Sequence, residues 1–268
     1  MKTAPPIVLT VAGSDPSGGA GLQADLKTIH QHGAYGAAVP TLITVQDSVE
    51  VARVELLPAD LVEAQLSAVL SDLAPAAAKA GALGSPETVR TLGAVMEKTS
   101  FSWVVDPVLL PSQGVPLSTG DVIAAYKDAV LPHAALITPN ANEAGLLAEM
   151  PVRTLDHARA AAERIAGFGA EAVLIKGGHL EGADRGTDLL LHRGQVNVLK
   201  AAAIVPGRFH GTGCALSAAI ASRIAFGVRL AAAIEGAKAW LAGALTHAFA
   251  VGKGAKPANH LWPLDEKP

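Results

Sequence analysis

The feature that most constrains this chain is an alternation. Short apolar runs at residues 7–12, 35–45, 76–83, 101–105, 135–138 and 172–175 are separated by longer stretches at 22–32, 58–70, 86–98, 120–130 and 155–168, where apolar residues recur at helical spacing. Bounded apolar runs read as buried strands, and an i, i+3, i+4 pattern reads as an amphipathic helix. A chain that alternates the two builds a mostly parallel central sheet with helices on both faces, a three-layer αβα sandwich of the α/β class. Residues 49–56 predict a short extra strand. Residues 188–192 and 196–199 predict a hairpin across Arg193, Gly194 and Gln195, and 215–226 and 230–248 predict two late helices. The lysine- and proline-rich tail, 253–268, predicts irregular structure. No repeat, low-complexity block or linker divides the 268 residues, so one domain over 1–268 is expected.

Composition narrows the class. Half of the residues are hydrophobic, much of this alanine, and only 4% are aromatic, which suits close packing of helices on a sheet. A net charge of −3 offers no electrostatic footing for nucleic acid or an anionic membrane surface. The single cysteine, Cys214, excludes an internal disulfide framework and fits a reducing compartment. The segment Met1-Lys2-Thr3-Ala4-Pro5-Pro6 lacks the apolar core and cleavage site of a signal peptide. The most apolar region, 215–251, is interrupted by Arg223, Arg229, Glu235 and Lys238, so no membrane span is expected. The expected location is cytoplasmic.

The polar residues of interest fall just after apolar runs. In open α/β sheets that edge is where ligands bind. Residues 13–21, Gly-Ser-Asp-Pro-Ser-Gly-Gly-Ala-Gly, form a glycine-dense loop between a strand and a helix. The loop lacks the Gly-Lys-Ser/Thr ending of a Walker A motif and the Gly-x-Gly-x-x-Gly spacing. It is either a tight turn or backbone brought close to a ligand. Gln46 follows the second strand, and its amide can both donate to and accept from a heterocycle. Asp106 follows the run at 101–105 and either caps the next turn or helps to place magnesium or a phosphate. Asn140 and Glu143 stand three apart at a helix start, as a capping box or as holders of water ligands of magnesium. Lys176, before Gly177 and Gly178, can reach a phosphate. His210-Gly211-Thr212-Gly213-Cys214 is a glycine turn opening a helix, where free amides and the helix dipole favour an anion. Cys214 there is either a small buried residue or a thiol whose thiolate the helix start favours.

Several of these segments together resemble one family. The stretch Ala12-Gly13-Ser14-Asp15-Pro16-Ser17-Gly18-Gly19-Ala20-Gly21-Leu22-Gln23-Ala24-Asp25-Leu26-Lys27-Thr28 resembles the N-terminal signature of hydroxymethylpyrimidine/phosphomethylpyrimidine kinases, thiamin-biosynthesis enzymes of the ribokinase-like superfamily. Val105-Asp106-Pro107-Val108, Ile137-Thr138-Pro139-Asn140 with Glu143, Lys176-Gly177-Gly178-His179 and the His210–Cys214 turn match further blocks in the same order. The resemblance spans about residues 7 to 250.

It implies a ribokinase-like fold, ATP as co-substrate, Mg2+ as cofactor and a homodimer. It also implies phosphorylation of 4-amino-5-hydroxymethyl-2-methylpyrimidine and then of its monophosphate, in the same pocket. Gly211, Thr212, Gly213 and Cys214 match the anion hole, with Cys214 where related sugar kinases carry an aspartate base. Gln46 matches the glutamine that reads the pyrimidine, and Gly13, Ala20 and Ala82 are expected to line that ring. Lys176, Asp106 and His210 are expected on the ATP-phosphate side, and Asn140 and Glu143 match the magnesium-associated pair. Ala82 stands where methionine is common, and 109–114 lacks a lysine common in that loop. The alternatives are a pyridoxal or pyridoxine kinase of the same superfamily, or a catalytically inactive pyrimidine-binding relative. Residues 182–186 and the stretch before His210 are candidates for a lid.

Overall fold

The structure, a computed structural model, describes residues 4–109, 121–200 and 205–265. The expectations for 110–114, for a helix starting at 120 and for the 201–204 part of the lid lie outside the described residues.

The chain starts as the alternation predicts. β1 (Ile7–Ser14) leads through the glycine loop into α1 (Gly21–Gln31) and back along β2 (Tyr35–Gln46). The extra strand β3 (Val51–Leu56) folds back antiparallel on β2, and α2 (Ala59–Asp72) returns the chain to β4 (Ala77–Ala80). α3 (Pro86–Met96) begins as its sequence directs, with Ser85 accepting the Thr88 amide and proline at the first turn, where its missing N–H does no harm. β5 (Ser102–Val105) follows. α4 (Val122–Ala125) then widens into a π-turn at Tyr126–Val130. Within that turn the Ala129 carbonyl packs onto Gly93 of α3, at a separation that leaves no room for a Cβ. β6 (Leu136–Ile137), α5 (Ala141–Ala148), α6 (Leu155–Ala166) and β7 (Ala172–Ile175) complete the alternation. The predicted hairpin is β8 (Asp188–His192) and β9 (Gln195–Leu199), turned at Arg193 and Gly194, both with positive φ.

Nine strands form one sheet in the order β3-β2-β1-β4-β5-β6-β7-β8-β9. The six from β2 to β7 run parallel, and β3, β8 and β9 are antiparallel additions at the two ends. β1 pairs with β2 on one side and β4 on the other, so the order of winding reverses between β1 and β4. Connections leaving that point diverge and open a crevice at the carboxyl ends of the strands.

Side chains alternate between two cores. Leu9, Val11, Trp103, Val105, Val173 and Ile175 face α2 to α6. Val8, Val104, Leu136, Ala172 and Leu174 face α1 and two late helices, α7 (Thr212–Ala225) and α8 (Leu230–Thr246). The second core is alanine-rich, which lets α7 lie close against β4 and β5.

The tail is more ordered than its composition predicts. Before α7, β10 (Phe209–His210) pairs in parallel with β11 (Lys256–Pro257). The Gly254 and Ala255 amides donate to Ser48, and the short α9 (Trp262–Asp265) is tied down by the Trp262 indole donating to the Trp240 carbonyl at 3.0 Å. These contacts come from distant partners, so no local period announces them.

Candidate active site

Every residue named above as a candidate for catalysis, substrate, phosphate or magnesium lines one cleft of about 740 Å3 at the carboxyl edge of the sheet. The strand ends account for this. Because β1, β2, β4, β5, β6 and β7 are parallel, Gly13, Gln46, Ala82, Asp106, Asn140 and Lys176 all emerge on the same side.

At one end the glycine loop is wound around a carboxylate. Asp15 Oδ1 accepts the Ser17 amide and Oδ2 the Ala20 amide, both at 2.8 Å. Gln23 steadies the loop from α1, accepting the Asp15 amide at 2.9 Å and donating to Ser14 Oγ at 2.8 Å. His210 Nε2 lies 2.9 Å from Asp15 Oδ2 and 2.9 Å from the Gln46 amide. Thr44 Oγ1 donates to the Ser14 carbonyl at 2.9 Å and touches the other side of the Gln46 amide at 3.2 Å. Gly13 packs against Leu42 and Ala82.

At the other end, Lys176 Nζ donates to Asp106 Oδ1 at 2.7 Å. Burial opposes the charge on Lys176, but Asp106 and Glu143 outweigh it and hold the ammonium above the ordinary lysine range. Asn140 and Glu143 form a complete capping box on α5: Asn140 Oδ1 accepts the Asn142 and Glu143 amides, and Glu143 Oε2 accepts the Asn140 amide at 2.8 Å. Burial pushes the Glu143 carboxyl up to about 7, against the pull of Lys176. Behind Lys176, Asp188 accepts the Gly177 amide at 2.8 Å and the Lys238 ammonium at 2.5 Å, which fixes the turn.

α7 joins the two ends. Gly211 caps it at φ +74, and a Cβ there would lie 1.8 Å from the Gly19 carbonyl oxygen, so only glycine fits. A Cβ on Gly213 would come within 2.9 Å of Asp106 Oδ2 and 3.0 Å of Lys176 Nζ. The first turn of α7 therefore touches the glycine loop on one side and the Lys176–Asp106 pair on the other. Its first amides receive no side-chain cap, so they remain as donors for an anion.

Two expectations need correction. His210 stands with Asp15 and Gln46, not with Lys176 and Asp106, because β10 turns its ring toward the glycine loop. At Cys214 burial outweighs what a helix start offers a thiolate. Burial pushes the thiol up to about 11, outweighing the lowering by Lys79 and by the Gly21 backbone.

Sequence reasoning passed over Asp15, Thr44, Asp188 and Lys238. It also passed over Lys79, on β4, which is fully buried and donates to Asp25 Oδ2 at 2.8 Å; Thr10 Oγ1 donates to the same oxygen at 2.6 Å. A lysine at the centre of an apolar strand, with an aspartate one helical turn past the glycine loop, is the sequence signal by which this pair could be found.

The order β2-β1-β4-β5-β6-β7, with antiparallel strands at both ends and an anion-ready helix start over the crevice, defines a ribokinase-like small-molecule kinase. The fold is similar to pyridoxal kinase from Bacillus subtilis, solved as an ADP complex: TM-score 0.88, 30% identity, 98% of this chain and 100% of that one covered. It is also similar to phosphomethylpyrimidine kinase from Clostridium difficile, with TM-score 0.78, 35% identity and 88% and 98% covered. The family model described as phosphomethylpyrimidine kinase matches residues 15–259. The hydroxymethylpyrimidine/phosphomethylpyrimidine kinase of Synechococcus elongatus is 41% identical over 259 residues, covering 97% of this chain and 98% of that protein. The chain belongs to the phosphomethylpyrimidine kinase family.

Proposed function

We propose that the chain transfers the γ-phosphoryl group of ATP to the hydroxymethyl oxygen of 4-amino-5-hydroxymethyl-2-methylpyrimidine, and then phosphorylates the monophosphate again to the pyrophosphate, in thiamin biosynthesis. The observation that carries this reading is the α7 turn, which links a heterocycle-sized polar end at Gln46 to a cationic end at Lys176 within one cleft. The family and the names of its members support the substrate.

Phosphoryl transfer through a loose transition state needs positioning and charge stabilisation more than covalent chemistry. In this reading Gln46 meets the pyrimidine, with Gly13, Ala20 and Ala82 around the ring. The amides of Thr212, Gly213 and Cys214 receive the transferred group, and Lys176, aimed by Asp106, meets the nucleotide phosphates. One such amide donor contributes about 10²–10³ in turnover in comparable oxyanion sites. In a loose transition state the hydroxyl proton leaves late, and burial pushes the Cys214 thiol up, so the amides bear most of the catalytic load. Magnesium neutralises phosphate charge when bound. Asp106, Glu143 and Asn140 present hard oxygens of the kind that suits it, and these residues would hold it, with Asn140 and Glu143 already engaged in the capping box.

A second reading, phosphorylation of pyridoxal, is favoured by the likeness to the Bacillus subtilis pyridoxal kinase. Gln46 argues against it, because a pyridine nitrogen has no amino neighbour for the amide carbonyl to meet. We further propose a single domain over 1–268, a cytoplasmic location and a homodimer. Half-exposed Ile43 and Val45 on β2 offer the partner an apolar face. Among the described residues, no helix is long and apolar enough to cross a membrane. Gln46→Ala tests the substrate assignment: KM for the pyrimidine rises while KM for ATP holds. Equal rises in both refute a reading role for Gln46.

A further inference from the structure

We infer that His210 and Thr44, acting with Asp15, set which way round the Gln46 amide stands, and thereby the donor–acceptor order with which the cleft meets a heterocycle. The inference rests on the reading of Gln46 as the residue that contacts the pyrimidine.

A count of hydrogens orients the amide. Asp15 accepts the Ser17 and Ala20 amides, and an ionised carboxylate is an acceptor only. Burial opposes its charge, but the hydrogen bonds from His210 and Ser17 together outweigh burial and hold it below the usual carboxylate range. With Asp15 Oδ2 at 2.9 Å, His210 Nε2 must carry the proton. The structure has Gln46 Nε2 at 2.9 Å from this nitrogen, but a protonated ring nitrogen cannot accept from an amide N–H, so the consistent network exchanges the amide's nitrogen and oxygen and brings the carbonyl oxygen to His210. The oxygen and nitrogen of an amide are told apart only through such networks. Thr44 accommodates the exchanged amide. The structure has Gln46 Oε1 at 3.2 Å from Thr44 Oγ1; with the amide exchanged, the one hydroxyl hydrogen goes to the Ser14 carbonyl at 2.9 Å and a hydroxyl lone pair accepts from the Gln46 NH2. With Nε2 at His210 instead, donor faces donor there.

So oriented, Gln46 keeps one N–H and one carbonyl lone pair, side by side on the planar amide, for a ligand. That pair complements a ring nitrogen next to an exocyclic amino group, the edge of a 4-aminopyrimidine. An inverted amide would require the ring to turn over, which carries the hydroxymethyl group away from the phosphate end. His210 and Thr44 are thus specificity-determining positioning residues.

A double-mutant cycle tests this. Steady-state kinetics with hydroxymethylpyrimidine and ATP each varied are compared for wild type, Gln46→Ala, His210→Leu, His210→Gln, Thr44→Val, and His210→Leu or Thr44→Val combined with Gln46→Ala. The expected result is that His210→Leu and Thr44→Val each raise KM for the pyrimidine about tenfold, the scale of one hydrogen bond, with KM for ATP unchanged. His210→Gln, which keeps an N–H in the Nε2 position, stays within about threefold. Neither single effect persists on the Gln46→Ala background, because nothing is left to orient. Full additivity with Gln46→Ala overturns the inference while leaving Gln46 as the reader. Equal rises in both KM values also overturn it, since the residues then support the whole cleft. An unchanged pyrimidine KM in Gln46→Ala overturns the substrate reading and this inference together.

Discussion

Cys214 is the only cysteine, which makes its ionisation directly measurable. The perturbation is pH, and the readout is the rate of iodoacetamide alkylation of the ligand-free protein, followed by mass spectrometry. The thiol borders the cleft and is half-buried, so the reagent can reach it, and burial pushes it up to about 11 from the ordinary 9.0. At pH 8 about one thiol in a thousand is then ionised, against about one in ten at the ordinary value, so alkylation runs about a hundredfold slower than for a free cysteine peptide. The rate climbs roughly tenfold per pH unit through pH 10 without levelling off. A midpoint at or below pH 9 refutes the reasoning, because the helix start and Lys79 would then have outweighed desolvation. In the same spirit, Cys214→Ala retains turnover within about tenfold of wild type, whereas a standing thiolate base would account for about 10²–10⁴.

Other expected outcomes follow from single contacts. Lys79→Met strands the Asp25 carboxylate in the core and destabilises by about 3–5 kcal/mol in urea unfolding, and adding Asp25→Asn recovers much of the loss; equal stability of the single and double variants contradicts the pairing. Gly213→Ala pushes a methyl group between Asp106 and Lys176 and lowers turnover about 10²-fold with the fold intact by circular dichroism; undiminished turnover would place the anion site elsewhere. His260 is buried, its Nε2 is without a hydrogen-bond partner, and desolvation pushes it down to about 4. Its neutral form is therefore favoured in the fold, and stability present above pH 6.5 is lost as pH falls toward 4, by up to about 3 kcal/mol. His260→Phe flattens that acid limb in thermal melts, and an unchanged limb assigns the loss to other groups.

The parts of the fold set by local pattern were readable in the sequence. Apolar runs such as 101–105 and 172–175 are strands, the Ser85–Pro86 start and the Arg193–Gly194 turn behave as their residues dictate, and the polar residues after strands converge because the strands are parallel. What was not readable depends on distant partners. That β4 lies beside β1, and so opens the crevice, is a property of the whole sheet. The family resemblance puts His210 on the phosphate side, but its strand pairing with Lys256–Pro257 turns it to Asp15. The helix dipole was weighed for Cys214 without the burial that opposes it, which only the packed α7 supplies. Asn140 and Glu143 are legible as a capping box from spacing alone, and the box is formed.

The central claim is that one cleft phosphorylates an aminopyrimidine alcohol twice. The most direct measurement supplies ATP, magnesium and either hydroxymethylpyrimidine or pyridoxal to the purified protein and follows products by mass spectrometry. The account predicts the pyrimidine monophosphate, followed by the pyrophosphate, with pyridoxal turned over far less efficiently. Efficient turnover of pyridoxal alone would contradict it.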